Sequence, residues 1–133
     1  MIKEIRAEGE LCALILSHRF EQPGVHFITG EEFSQQVAYM RHPAGKVIQP
    51  HVHLPVERRI TQTTEVLIIR SGRLKADFYR QDRTFLQTEL LEAGDVLILI
   101  SGGHGFEVLE EVVMIEVKQG PFAGNLDKVR FAP

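Results

Sequence analysis

The chain lacks the features on which small secreted, membrane-spanning and nucleic-acid-binding proteins depend. It has one cysteine among 133 residues, which excludes a disulfide scaffold. The first residues, from Met1 to Arg6, contain acids and bases but no apolar signal core. No apolar run approaches the roughly 20 residues that a membrane helix needs. A net charge of −3 with scattered basic residues gives no electrostatic reason to expect nucleic acid as a partner.

These absences leave an ordinary cytoplasmic protein as the expectation. A length of 133 residues fits a single domain, here residues 1–133, that buries its core without covalent cross-links. Hydrophobic residues make up 44% and charged residues 25% of the chain, which is the composition of a globular protein. The expected partners are therefore a small-molecule ligand and a second copy of the chain, with no nucleic acid and no membrane.

Short apolar segments separated by turn residues predict an all-β fold. Leu74, Ala76 and Phe78 alternate with polar residues, which is the period of a half-buried strand. Cys12 lies inside an apolar run and is interpreted as a buried hydrophobe rather than a nucleophile. Ser71-Gly72 is predicted to be a hairpin turn. Strands are predicted at residues 11–17, 36–41, 46–52, 64–70, 74–79, 85–91, 96–100, 106–109 and 112–117. Many short strands with glycine-rich turns are typical of a sandwich or barrel, whose mouth can accept a ligand.

Three of the six histidines have the spacing of metal ligands. His51 and His53 are two residues apart, so on a strand both imidazoles would face the same side. His104 follows a glycine loop at the start of another predicted strand. A carboxylate would complete a nitrogen and oxygen ligand set suited to iron, manganese, nickel, copper or zinc. The other histidines fall outside any motif and are interpreted as loop or strand-end residues: His18, His26 and His42.

The glycines around these residues resemble the two motifs of the cupin superfamily. Gly45 precedes His51 with five residues between them, and Glu65 precedes Gly72 with six residues between them. Gly94-Asp95 precedes His104 in the second motif. The resemblance covers about residues 45–117. It implies a double-stranded β-helix, the jelly-roll barrel of that family, with one divalent transition metal (Fe, Mn, Ni or Zn) held by His51, His53, Glu65 and His104.

The sequence departs from the family pattern at the carboxylate ligand. Eleven residues separate His53 from Glu65, where the family has three or four. Glu57 keeps the short spacing and is the alternative ligand, whereas Glu65 keeps the spacing to Gly72 and opens a predicted strand. We prefer Glu65, because a ligand on a strand is better fixed than a ligand in a long loop. In the second motif Ile100 replaces a proline, and Val108 replaces an asparagine that is often not a ligand.

The resemblance implies a metal-dependent enzyme that acts on a small polar metabolite, such as a sugar or sugar derivative. Isomerase, epimerase and dioxygenase chemistries all occur in cupins of this size. Isomerisation needs a general base, for which Glu57, Glu116 and a metal-bound hydroxide are the candidates. The period of the last strand leaves open whether Glu116 faces solvent or the barrel mouth. The alternative is a non-catalytic module that binds a metal or a small molecule. By resemblance we also expect a homodimer formed through edge strands.

Overall fold

The computed structural model describes all residues, 1–133, and divides into two compact units. The larger unit contains residues 1–20 and 62–133, and the smaller unit contains residues 21–61. Both units are built from antiparallel strands, and neither contains an α-helix, so the all-β prediction is confirmed. The structure has no helix whose length and hydropathy would let it cross a membrane.

The strands differ greatly in length. Two of them, one near the middle of the chain and one near its end, span 15 and 16 residues, whereas the others span four to eight. The elements in chain order are β1 (Ile2–Ala7), β2 (Glu10–Leu16), β3 (Gly24–Phe27), β4 (Ala38–Arg41), β5 (Glu65–Tyr79), β6 (Phe85–Glu92), β7 (Val96–Leu99), β8 (Gly103–Lys118) and a short 3-10 helix (Gly124–Leu126).

The larger unit is one antiparallel sheet in the order β1-β2-β7-β5-β6, with β8 paired to β5. Its core consists of apolar side chains from these strands that pack on one another. Phe78, Leu74 and Leu97 are among its fully buried members. Cys12 is buried in the same core, as predicted. The strands predicted around residues 11–17, 74–79, 85–91 and 96–100 are confirmed, because alternating or continuous apolar residues there form the face that packs on the core.

The long strand β5 runs straight through Ser71-Gly72, so the predicted hairpin turn is wrong. Gly72 has a φ of +87°, and the pairing of β5 with β8 shifts register on both sides of it. A Cβ atom at Gly72 would lie 2.0 Å from the carbonyl oxygen of Glu111. The glycine therefore marks a bulge that bends a continuous strand. The strands predicted at 106–109 and 112–117 are likewise one strand, β8.

The bend curls the sheet into a half-barrel whose ends approach each other. Glu65 pairs with Lys118, and Phe78 pairs with His104 at the other end of β5. Glu65 and Phe78 are thirteen residues apart on β5, which would be about 43 Å in an extended strand. Yet Nε2 of His104 lies 3.5 Å from Oε2 of Glu65. The short connection from β7 contributes to this approach, because Leu99 pairs with Glu65 and β8 begins at Gly103.

The smaller unit contains the two-stranded ribbon β3–β4. The loop between these strands is held by polar contacts, since the Thr29 hydroxyl accepts the Val37 N–H at 3.0 Å. The Gln36 amide donates to carbonyl oxygens of the same loop, the nearest at 2.7 Å. No strand forms at residues 46–52, where one was predicted. Pro50 falls inside that segment and has no N–H to donate to a sheet, which gives the physical reason.

Candidate functional site

Glu65 and His104 form a histidine–carboxylate pair in the larger unit. Glu65 is the first residue of β5, and His104 is the second residue of β8. The two side chains are 16% and 31% exposed, and 3.5 Å separates Oε2 of Glu65 from Nε2 of His104. The structure thus brings together two residues that the sequence motifs placed 39 positions apart. Both remain reachable from solvent.

The surroundings of Glu65 favour its ionised form. The hydrogen bond from His104 lowers the pKa of Glu65, whereas partial burial opposes this by raising it. The positive charges of His104, Lys118 and Lys128 lower the pKa further, and the net direction is downward. Glu65 is therefore a carboxylate at neutral pH, which is the form that binds a metal ion.

The distance within the pair fits two neighbouring ligands of one ion. Ligand atoms about 2.1 Å from a metal lie about 3.0 Å apart in octahedral and about 3.4 Å apart in tetrahedral coordination. The 3.5 Å between Oε2 of Glu65 and Nε2 of His104 is close to the upper value. Imidazole nitrogen and carboxylate oxygen are a donor set that iron, manganese and zinc accept. No group of three or more histidine, cysteine, aspartate or glutamate side chains converges in a metal-binding arrangement in either unit.

His51 and His53 belong to the smaller unit, where both are exposed. They are not on a strand, so the predicted reason for their sharing a face is wrong. Their rings are nevertheless neighbours, with centroids 5.2 Å apart and planes at 74°. Nδ1 of His51 lies 3.0 Å from the carbonyl oxygen of Gln49. Because a carbonyl only accepts, Nδ1 carries the proton and Nε2 of the neutral ring is left to bind a metal.

The two candidate general bases are both exposed. Glu57 lies in the strand-free part of the smaller unit. Glu116 lies on β8 opposite Leu67 of β5. Its side chain is accessible to water, and its role as a general base stays a prediction.

Several polar groups near Glu65 were not predicted as site residues. Nζ of Lys118 lies 3.6 Å from Oδ2 of Asp127, and both side chains are at least three-quarters buried. Oδ1 of Asp127 and Oγ1 of Thr64 are buried without a hydrogen-bond partner. Such oxygens are uncommon in folded proteins. Asp127 lies in an irregular segment, so no periodicity in the sequence could have pointed to it.

A separate cleft of about 360 Å³ lies elsewhere in the larger unit. Its volume is in the range of small-molecule sites. Neither Glu65 nor His104 lines it, so it is distinct from the histidine–carboxylate pair. The lining residues are Met1, Lys3, Ile15, Ser17, His18, Arg19, Glu89, Leu90 and Asp95.

Polar contacts fix one wall of this cleft. Nζ of Lys3 lies 2.6 Å from Oε1 of Glu89. Nδ1 of His18 lies 2.9 Å from Oδ1 of Asp95, which is buried. The interpretation of His18 as a strand-end residue agrees with its place just after β2, but the sequence did not indicate its partner.

Comparison of the chain with protein-family models, with curated proteins and with solved structures finds no match.

Proposed function

We propose that this chain is a metal-binding protein of the cupin type, with a double-stranded β-helix at its core. One divalent transition metal is bound by Glu65 and His104, with His51 and His53 as the remaining ligands expected from the motif. The observation that carries the proposal is the 3.5 Å approach of an ionised carboxylate to an imidazole nitrogen in a curled β-sheet. Fe, Mn, Ni and Zn all suit this ligand set.

The proposed reaction is the conversion of a small polar metabolite, such as a sugar derivative, in the cytoplasm. A bound metal would supply Lewis-acid polarisation of a substrate oxygen. Glu65 and His104 would hold the ion, and the positive charge of Lys118 beside Glu65 would favour a substrate with an anionic group. Glu116 and Glu57 are the candidate general bases that would take a proton from the substrate, and both are exposed.

Metal content measured by plasma mass spectrometry on untagged protein tests this proposal. The native chain should hold close to one metal per chain, and Glu65→Gln and His104→Ala should lose it. His51→Ala and His53→Ala should lose it as well if they are the remaining ligands. His42→Ala is the matched control, since His42 is an exposed histidine outside the motif. Glu57→Gln should keep the metal.

A native chain that carries no metal and takes none up on reconstitution would overturn the metal-dependent function. Retention of metal by both Glu65→Gln and His104→Ala would place the ion elsewhere. Loss of metal with Glu57→Gln but not with Glu65→Gln would instead identify Glu57 as the carboxylate ligand.

The second candidate function is a non-catalytic small-molecule module, and the cleft at His18 favours it. Arg19 and His18 supply positive or hydrogen-bonding groups, and Ile15 and Leu90 supply apolar surface. This mixture suits a small organic acid. A thermal-shift screen of such acids should show stabilisation that Arg19→Ala removes, while Arg58→Ala, an exposed arginine of the smaller unit, leaves it intact. No stabilisation by any acid would exclude this function.

We also propose that the protein forms a homodimer through β8. Among the strands, β8 pairs only with β5, so its other edge is open to a further strand. Large apolar side chains are exposed along it, at Phe106, Val108, Leu109, Val113, Met114, Ile115 and Val117. A two-fold arrangement would cover this edge in both copies. Light scattering should give the mass of two chains, and Val113→Lys should give the mass of one.

A further inference from the structure

The segment that follows β8, residues 119–133, is attached beside Glu65. The Gln119 N–H donates to the carbonyl oxygen of Thr64 at 3.0 Å, which fixes the start of the segment next to Glu65. Farther along, Oδ2 of Asp127 lies 3.6 Å from Nζ of Lys118, the residue that pairs with Glu65 across the sheet. The segment is thus tied to the carboxylate end of the histidine–carboxylate pair at two points.

The end of the same segment is attached beside His104. Phe131 packs edge-on against Tyr79, with ring centroids 5.2 Å apart and planes at 89°. The guanidinium carbon of Arg83 lies 5.6 Å from the centre of the Phe131 ring. A Cβ atom at Gly103, the residue before His104, would lie 3.0 Å from Cζ of Phe131. Glycine at position 103 therefore makes room for this ring directly beside the imidazole end of the pair.

The segment therefore runs from the neighbours of Glu65 to the neighbour of His104. Three other large apolar residues of the segment are exposed: Phe122 by 88%, Leu126 by 92% and Val129 by 68%. The segment is therefore held by Phe131 and Asp127 rather than by general burial. At the Glu65 end, Thr64 Oγ1 and Asp127 Oδ1 are buried without a hydrogen-bond partner in the protein.

We propose that residues 119–133 form a strap that covers the Glu65–His104 pair and slows the exchange of whatever binds there. Asp127 and Phe131 are positioning residues, because they hold the strap and do not themselves ligate. The slowed exchange rests on the proposed metal function, whereas the docking of the strap does not. Opening of the strap breaks the aromatic contact of Phe131 with Tyr79 and its cation–π contact with Arg83. Phe131→Ala should therefore raise the fraction of molecules with an open strap about tenfold.

Two measurements on the full-length protein test the strap. The first is the rate at which trypsin cleaves the native protein after Lys128, followed by mass spectrometry. The second is the rate at which a chelator extracts metal from the zinc-loaded protein. Phe131→Ala should raise both rates about tenfold, and Asp127→Asn should raise both by a smaller factor. Phe122→Ala is the matched control, because that phenylalanine is 88% exposed and should leave both rates unchanged.

Each outcome has a separate meaning. An unchanged trypsin rate in Phe131→Ala would overturn the docking of the strap. A raised trypsin rate with an unchanged extraction rate would show that the segment docks but does not cover the pair, which also overturns the proposal. If the protein binds no zinc, the metal function fails while the trypsin measurement still decides the docking. If Phe131→Ala does not fold, Arg83→Met removes the cation–π contact from the exposed side and should raise both rates by a few-fold.

Discussion

Two histidine–carboxylate pairs lie in the larger unit, and their carboxylates are used differently. Asp95 accepts the His18 backbone N–H at 2.8 Å, the His18 ring N–H at 2.9 Å and the Glu92 N–H at 2.9 Å. Glu65 has a single longer contact, 3.5 Å from its Oε2 to Nε2 of His104. The protein therefore fills three acceptor positions of Asp95, whereas Glu65 keeps more acceptor capacity for something else.

The difference shows that proximity of a histidine to a carboxylate does not by itself indicate a functional site. In the His18–Asp95 pair, the carboxylate joins the end of β2 to the turn between β6 and β7, so its role is structural. In the Glu65–His104 pair, the strands themselves bring the two groups together, because Glu65 pairs with Leu99 and β8 begins four residues later at Gly103. The first pair should therefore determine stability and the second should determine binding.

The largest effect on stability should come from Asp95→Ala. The change leaves the N–H groups of His18 and Glu92 without their acceptor in a partly buried place, so the free energy of unfolding should fall by about 3 kcal/mol. Chemical denaturation followed by circular dichroism measures this. Glu65→Ala, assayed without metal, is the comparison and should cost less than about 1 kcal/mol. Equal losses in the two variants would remove the distinction between the pairs.

Glu65→Gln should give the largest effect on binding. The amide oxygen is a weaker ligand than the carboxylate, so metal affinity should fall by about 100-fold or more. Titration with zinc in a competing chelator measures the change, with Glu92→Gln as the matched control, since Glu92 belongs to the surroundings of the other pair. An affinity that is the same in the native chain and in Glu65→Gln would contradict the role of Glu65 as a ligand.

A smaller loss is expected where β5 bends. Gly72→Ala places a Cβ atom 2.0 Å from a backbone oxygen at a φ of +87°, so the bulge must move. We expect a loss of about 2 kcal/mol in unfolding free energy, together with weaker zinc binding because the curl brings Glu65 to His104. Gly9→Ala has a similar φ of +85° but open space around it, and should cost less without any change in binding. Unchanged zinc binding in Gly72→Ala would show that the bend at Gly72 is not needed to bring Glu65 to His104.

The smallest effect should be a pH dependence of stability supplied by the Glu65–His104 pair. The pKa of Glu65 is lowered in the folded protein from a value of 4.5, chiefly by the hydrogen bond from His104. Its contribution is therefore fully present above about pH 4.5 and is lost as the pH falls through the lowered pKa. Unfolding free energies of the metal-free protein measured across this range should fall more steeply for the native chain than for Glu65→Gln. Parallel curves would contradict the shift.

The sequence predicted those parts of the structure that depend on local pattern. Alternation at Leu74, Ala76 and Phe78 correctly predicted a strand, because burial of one face requires that period. Ser71-Gly72 was misinterpreted, since glycine with a positive φ serves a hairpin turn and a bulge equally well, and only the partner strand decides between them. The segment 46–52 has the apolar residues of a strand, but Pro50 lacks the donor that a ladder requires.

The part of the candidate site that depends on motif spacing could be predicted from the sequence. Motif spacing indicated Glu65 and His104, and the structure brings this pair together. The preference for Glu65 over Glu57 stays a prediction, as does the participation of His51 and His53. Asp127 and Phe131 could not have been predicted, because their contacts with Lys118 and Tyr79 are made by a segment without period or motif.

The pairing of β2 with β7 has a consequence for synthesis of the protein. Leu16 pairs with Val96, so about eighty further residues must be synthesised after the apolar strand β2 before its partner strand β7 exists. At ribosomal speeds of about 5 to 20 residues per second, that delay lasts about 4 to 16 s. During that interval the β1–β2 hairpin presents its run of leucine and isoleucine to other chains. The newly synthesised chain should therefore depend on chaperones. Its yield of folded protein should fall more steeply with expression temperature than its equilibrium stability alone would require.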